Sequence, residues 1–416
     1  MINNNNKRSS HILFFIGFLI FVLLLTKGLH FSGWSMFPRF TTLRYAALFL
    51  MPLLTIAIYK KVVRSCRVFH RKFVVYVIMS SLFTYSLRNL FYDAGFGYGL
   101  ENNIFVAFTF CSYFILHYLR VSEKLLIDSL TIIGLMVVAI QVFQQVHPEL
   151  AIFSMYTEEM REELGLSQDY ITGMRNGLYR FIPIAQHFPL FLLCYYFSKI
   201  LRIYNLKYLI LTIAFAASTY LMLTRMFMVC AGICCLFIYI AQKDKSKSRF
   251  RTSIIVIVGL ALLISYSDVL FSQLFNSQDS DIGYSTTVRL ECIPFLLYQS
   301  IQDPLLFIVG HGYPEILFRW GVSLGYWYND IGIIGQIYPY GIIWLVVYFR
   351  LVYKILIKGK RNIPIYIRAY VFGLLCICMM MTTYANSLDT TFLWCIILYI
   401  LDLYITRSDK TERNAL

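Results

Sequence analysis

Long apolar runs, each closed by a short polar or basic cluster, set the pattern of this chain. A membrane-spanning helix needs roughly 20 mostly apolar residues, with a range of about 17 to 25. Runs of that kind cover Ile12 to Leu29, Thr41 to Tyr59, Phe73 to Phe91, Ile104 to Leu119, Leu125 to Gln144 and Phe181 to Phe197. Tyr208 to Thr224, Met226 to Ala241, Thr252 to Phe271, Ile331 to Phe349, Ile365 to Tyr384 and Thr391 to Ile405 complete the series. They predict an all-α, polytopic integral membrane protein with about twelve transmembrane helices. The pair flanking Arg225 is short, and a re-entrant hairpin is the alternative there.

The connections are unequal. Two are long, residues 147–180 and 272–330, and the second is the largest polar segment. The chain reads as a single membrane domain, 1–416, carrying these two loops. Its first ten residues are polar, with Lys7 and Arg8, and no small-residue cleavage pattern follows the first apolar run, so a retained first span is expected.

Composition agrees with lipid as part of the solvent. Of 416 residues, 59% are hydrophobic and 14% charged, where a soluble domain carries about a quarter charged residues. The net charge of +15 would suggest nucleic acid in a soluble protein. Here the basic residues sit in short clusters between apolar runs, as topology signals do, and nucleic acid is excluded as a partner. The clusters fall in 60–72, 199–207, 243–251 and 350–361, on one side of the membrane if every run crosses it. The positive-inside rule makes that side cytoplasmic, with both termini, and turns the two long loops outward. The ten cysteines form no disulfide framework, since only Cys292 falls in an outer loop, and no spacing suits a metal.

The basic residues of the outer face are almost all arginine: Arg39, Arg44, Arg88, Arg161, Arg175, Arg180, Arg225, Arg289 and Arg319, with Lys27 the single lysine. The planar guanidinium matches phosphate bidentately, which lysine cannot do. A phosphate-bearing ligand is one reading; anchoring to lipid headgroups is the other.

Four outer constellations stand out. Arg289 opens an apolar stretch to Ile301 that reads as an interfacial helix, with Pro294 bending it or sitting in its first turn. Pro304 and an apolar run then lead to Gly310-His311-Gly312-Tyr313-Pro314-Glu315, where the glycines would let backbone amides approach a ligand; a surface turn is the alternative. Arg175, Gly177, Tyr179 and Arg180 stand at the mouth of the sixth span, and outer tyrosines such as Tyr179 have faces suited to stacking on sugar rings. Arg225 stands alone between two spans and needs a partner or a polar cavity. Asp330 opens the tenth span with Gly332 and Gly335, and is either a reactive carboxylate or a helix cap.

Taken together, these segments resemble a family. Arg289…Pro304…Gly310-His311-Gly312 is similar to the arginine, amphipathic helix, proline and Gly-x-Gly pattern in the outer loop of O-antigen and capsule repeat-unit polymerases. Asp330-Ile331-Gly332, followed by Tyr340-Gly341-Ile342, resembles their Asp-x-Gly…Tyr-Gly-Ile segment. Leu223-Thr224-Arg225 resembles the Ser/Thr-Arg start of a middle span, and Arg175-x-Gly177-x-Tyr179 the mouth of their earlier loop. The related O-antigen ligases would call for a His-Asn dipeptide shortly before the acidic start; here that region reads Gly321-Val322-Ser323.

The resemblance implies a GT-C-like membrane glycosyltransferase in the bacterial cytoplasmic membrane. It would join oligosaccharide repeat units carried on undecaprenyl diphosphate, with the donor and acceptor lipids and a chain-length regulator as partners and no metal or other cofactor. Arg289, Arg225 and Asp330 would be catalytic. Arg175, Arg180, Tyr179, His311, Gly310, Gly312 and Glu315 would hold diphosphate or sugar. The rivals are a ligase and, from another class, a lipid-linked oligosaccharide flippase, which would more often carry charges deep in its spans. The orientation is testable with a probe cysteine at Ser248 in a background without the native cysteines. It should stay silent to a membrane-impermeant thiol reagent in intact cells and react after permeabilisation; labelling in intact cells would reverse the orientation.

Overall fold

In the computed structural model the described residues are 4–33, 37–92, 104–150, 152–153, 174–175, 178–179, 185–222, 224–242, 280–311, 331–358, 363–378 and 387–414. The expected span 252–271 and most of both long loops lie outside them. The chain is mostly helical. The first helices are α1 (Asn4–Leu25), α2 (Pro38–Ser65), α3 (Arg71–Tyr92), α4 (Phe105–Phe110), α5 (Ser112–Leu119) and α6 (Glu123–Val146). A two-stranded antiparallel hairpin, β1 (Met174–Arg175) and β2 (Leu178–Tyr179), precedes α7 (His187–Arg202), α8 (Leu206–Leu221) and α9 (Arg225–Ala241). Then come α10 (Ser280–Ile301), α11 (Pro304–Val309), α12 (Gly332–Tyr353), α13 (Ile365–Ile377) and α14 (Leu388–Asn414).

Four helical segments are long and apolar enough to cross a membrane: Arg39–Ser65, Glu123–Val146, Gly332–Ile357 and Leu388–Thr406, with shorter apolar helices beside them. They are the helices of a membrane protein. Burial within the molecule grades them. The apolar window of α14 is 83% buried and that of α2 only 17%, so α14 is a central post and α2 a peripheral stave. A helix apolar on all sides belongs at such a centre. α14 packs against α1, α4, α5 and α7, and α7 in turn against α6, α8, α9 and α13. The peripheral helices turn large apolar side chains outward, among them Leu53, Ile56, Ile213, Ile240 and Val346. That surface suits acyl chains rather than water.

Local breaks depart from the sequence reading. The first run does not continue to Leu29. α1 ends at Leu25, and Lys27, Gly28, Leu29 and His30 all have φ between 51° and 64°, a single left-handed turn. The fourth run is split at Cys111, whose carbonyl accepts the Thr55 hydroxyl at 3.4 Å. Pro294 neither opens nor ends its helix; it sits inside α10, which begins at Ser280, so Arg289 lies in mid-helix rather than at its start.

Contacts sort the helix ends into two sets. One set centres on Asp402 in α14, 1% exposed. Its carboxylate accepts from the Phe69 amide at 3.1 Å, His70 Nδ1 at 2.5 Å, His117 Nε2 at 3.1 Å and the Tyr113 hydroxyl. Beside it, Glu123 accepts from the hydroxyls of Tyr366 and Tyr404, at 3.0 and 2.9 Å, and the Tyr399 hydroxyl donates to the Val121 carbonyl at 2.6 Å. The opposite set joins Ser32 to Ile152, Gln145 to Tyr179, Thr84 to Val309 and Ile333 to Cys378. A buried carboxylate is tolerable only when its lone pairs are filled, and Asp402 meets that condition with donors from two separate segments, residues 69–70 and α5. Asp402→Ala should cost about 3–5 kcal/mol, the scale for stripping a partner from a buried ionic network. Thermal unfolding of the detergent-purified protein would show it, and an unchanged midpoint would remove the network from the account of the fold.

Candidate functional site

The end opposite Asp402 holds most of the residues singled out by the sequence. It is built first by α10, whose Cys292 and Leu296 pack on Ile331 at the head of α12. Arg289 lies one turn before Cys292 on the same helical face, by the three- and four-residue spacing of that face, and its side chain is exposed. α11 follows, capped by the Asp303 side chain, which accepts from the Leu305 and Leu306 amides at 3.0 and 3.2 Å.

α11 ends at Gly310, and here the structure corrects the sequence reading. The Gly310 amide donates to the Leu306 carbonyl at 2.6 Å and so is not presented to a ligand. Its φ is +98°, and a Cβ built there would stand 2.5 Å from the Pro339 carbonyl oxygen and 2.8 Å from the Tyr340 Cα. The close approach that glycine permits is therefore to the backbone of α12. The partner surface is matched: Gly341, φ +74°, kinks α12 after Pro339, and a Cβ there would collide with the Ile308 carbonyl. Two glycines in unusual conformations lock α11 against the kink.

His311 is buried, not open to a substrate, a second correction. Its amide donates to the Tyr338 carbonyl at 2.8 Å, its Nε2 donates to the Ser300 carbonyl at 3.2 Å, and its ring stacks on Tyr338 with centroids 4.4 Å apart. Burial pushes its pKa below the ordinary imidazole value, against the opposing pull of the Ser300 carbonyl and the Asp303 charge. The ring ties the end of α10 to α12.

The hairpin is anchored to α6. The Gln145 side chain donates to the Tyr179 carbonyl at 2.7 Å and accepts from the Tyr179 amide at 3.0 Å, so the backbone around Arg175 and Tyr179 is held at this end. Arg225 is the first residue of α9. Two residues on, the Phe227 ring meets His187 at 5.0 Å, which places the start of α9 beside the start of α7. Arg180, Gly312, Glu315 and Asp330 lie outside the described residues.

Several polar groups at this end were missed by the sequence reading. His187, 1% exposed, bonds through Nδ1 to the Tyr370 hydroxyl at 2.9 Å. Its Nε2, and Oε1 of the neighbouring Gln186, have no hydrogen-bond partner among the described residues. His30 lies in the left-handed turn. Burial lowers its pKa, Asp389 opposes, and Lys27 and Arg44 add to the lowering. The only sequence signal was the place of His30 and Asp389 at the edges of apolar runs.

Among the described residues no group of three or more His, Cys, Asp or Glu could hold a metal. Compared with known proteins, the chain matches no family model and no curated relative.

The interlock is testable. Gly310→Ala should lower stability by about 1–3 kcal/mol, the scale for forcing a non-glycine residue into a strained backbone region, in a thermal melt of the purified protein. A wild-type midpoint would show that α11 and the kink of α12 are free to separate.

Proposed function

We propose that this protein is a membrane glycosyltransferase of the repeat-unit polymerase type. It would join oligosaccharide units carried on undecaprenyl diphosphate into O-antigen or capsule polysaccharide at the outer face of the bacterial cytoplasmic membrane. One observation carries the reading. The two stretches that hold the motif resemblance, Arg289 to Gly310 and Ile331 to Gly341, follow one another across a single connection in the chain, and they interlock. α10 packs on Ile331, Gly310 seats against Pro339 and Tyr340, and Gly341 seats against Ile308. The motif residues on both sides of that connection therefore belong to one structural unit, which supports reading them together.

In this reading the enzyme has a GT-C-like architecture of about twelve spans, and both termini are cytoplasmic. The diphosphate-linked sugar carbon of the growing chain is attacked by a hydroxyl of the incoming unit. The bond from that carbon to the diphosphate oxygen breaks, and undecaprenyl diphosphate leaves with the electron pair. Diphosphate is a good leaving group, so the need is for cationic forks that stabilise its charge, the task assigned to Arg289 and Arg225. Asp330 accepts the proton of the attacking hydroxyl. Arg175, Arg180 and Tyr179, on the loop pinned to α6, take the sugar and diphosphate of the bound lipid. Gly310 and His311 serve by positioning, since they fasten the loop that carries Gly312 and Glu315 to α12.

The test is a deletion strain analysed for surface glycan and for the lipid-linked pool. Loss of a polymerase leaves single repeat units on the final acceptor and no ladder. Loss of a flippase leaves no units outside, and loss of a ligase strands long polymer on the carrier lipid, so either pattern would overturn the proposal. Arg289→Lys and Asp330→Asn should reproduce the single-unit phenotype, because lysine lacks the fork and asparagine cannot take a proton. Asparagine caps a helix nearly as well as aspartate, so a normal ladder in Asp330→Asn would reduce that residue to a cap.

A further inference from the structure

One edge of α2 changes chemistry along its length. Leu53, Ile56, Lys60 and Arg64 follow one another at spacings of three and four residues, so they share one face of the helix, and all four are exposed. Leu53 and Ile56 are 63% and 74% exposed, within the segment long and apolar enough to cross a membrane. One turn beyond Ile56 the same face becomes cationic, and the exposed Lys61 widens it. The stripe therefore runs from a surface suited to acyl chains to one suited to phosphate. It lies on the least enclosed of the four long apolar segments.

The end of α2 is fixed against α5. The Cys66 thiol donates to the His117 carbonyl at 3.5 Å, and the Lys61 ammonium lies over the Tyr118 ring, 5.1 Å from its centroid. Two residues on, Arg120 ends α5 in a left-handed conformation with its side chain exposed. Tyr118 and Leu119 are exposed as well. Among the described residues no ion pair joins Lys60, Lys61, Arg64 or Arg120 to a carboxylate. The acids of this end are engaged elsewhere: Asp402 is filled by its buried donors, and Glu123 accepts from Tyr366 and Tyr404. The exposed Asp128 lies further along α6 and forms no ion pair among the described residues. Like charges at three- and four-residue spacing on a helix stand about 5–6 Å apart at Cβ and repel one another. An anion seated between them turns that cost into attraction.

We propose that the corner formed by Lys60, Lys61, Arg64, Tyr118 and Arg120 binds an anionic phospholipid of the adjoining leaflet. The arginines take phosphate oxygens through their forks, and the lysines add point charges. The Tyr118 ring holds the Lys61 ammonium in place, at the depth where amphipathic rings settle in a membrane. An acyl chain lies along Ile56 and Leu53. Charge complementarity selects this occupant. A zwitterionic headgroup offsets its phosphate with its own cation, and a soluble phosphate leaves the apolar track uncovered. A lipid seated here touches both α2 and α5, and so helps fasten the peripheral helix to the bundle. The site lies at the Asp402 end, away from the interlock of α11 and α12, and the proposal is independent of the polymerase reading, whose test is the glycan ladder.

The full-length protein, purified in detergent, is titrated with phosphatidylglycerol, phosphatidylethanolamine and glycerol 1-phosphate and followed by native mass spectrometry. Phosphatidylglycerol should bind saturably and at least about ten-fold more tightly than either of the others. Lys60→Gln and Arg64→Gln should each weaken it about five-fold, the scale of one basic residue at an anionic lipid surface. Lys207→Gln, which removes an exposed cation from a different basic cluster, should leave the affinity unchanged. Lys60 and Arg64 are exposed, so both variants should melt as the wild type does, and either one that folds decides the matter. Equal affinity for phosphatidylethanolamine or for glycerol 1-phosphate, unchanged affinity in a folded Lys60→Gln or Arg64→Gln, or an equal loss in Lys207→Gln would overturn the proposal.

Discussion

An apolar bundle has no water inside to satisfy a polar group, so each buried charge must find its partners in the chain. Asp402 is where this constraint is met most fully. It sits in the most enclosed helix, and its carboxylate draws in the segment before α3, the last turn of α5 and the tyrosine one turn earlier. Each of those donors would be costly to bury alone, and the carboxylate more so. Their mutual satisfaction fixes how α3 and α5 meet α14. Glu123 repeats the device one position outward, with tyrosines from α13 and α14. Helix register at this end is therefore set by directional bonds, where apolar packing alone would leave sliding cheap.

The opposite end is organised by shape. Gly310 and Gly341 adopt conformations that exclude a side chain, and the backbone of one helix enters the kink of another. His311 adds a stacked ring and two directional bonds at the same place. This arrangement gives the loop after α11 a fixed origin.

Much of the helical plan was legible, because long apolar runs have few other outcomes in a chain with so little charge. Most described helices overlap expected runs, though the first ends early, the fourth is split and several other ends differ. What stayed hidden was of two kinds. The break at Cys111 carries no glycine or proline signal, and the Thr55 hydroxyl that meets the Cys111 carbonyl comes from another helix. Conversely, Pro52 and Pro294 look like breaks and lie inside continuous helices. The Asp402 network was also hidden, since His117 and His70 stand 285 and 332 positions away. Of the candidate site, the glycine at 310 was picked out for the right property, close backbone approach, and given the wrong partner. The roles proposed for Arg289 and Asp330 rest on the motif resemblance alone, and Asp330 lies outside the described residues.

The contrast between the two ends has an energetic consequence. Three non-glycine residues in a left-handed turn cost about 1–2 kcal/mol each, and a half-satisfied, buried histidine adds to that cost. A fold of ordinary stability, about 5–15 kcal/mol, can carry such a defect only if it is well secured elsewhere. The Asp402 end supplies that security through bonds that leave its carboxylate fully occupied. The polar groups at the Asp402 end are consumed by structure, whereas at the other end the buried His187 Nε2 and Gln186 Oε1 have no hydrogen-bond partner among the described residues.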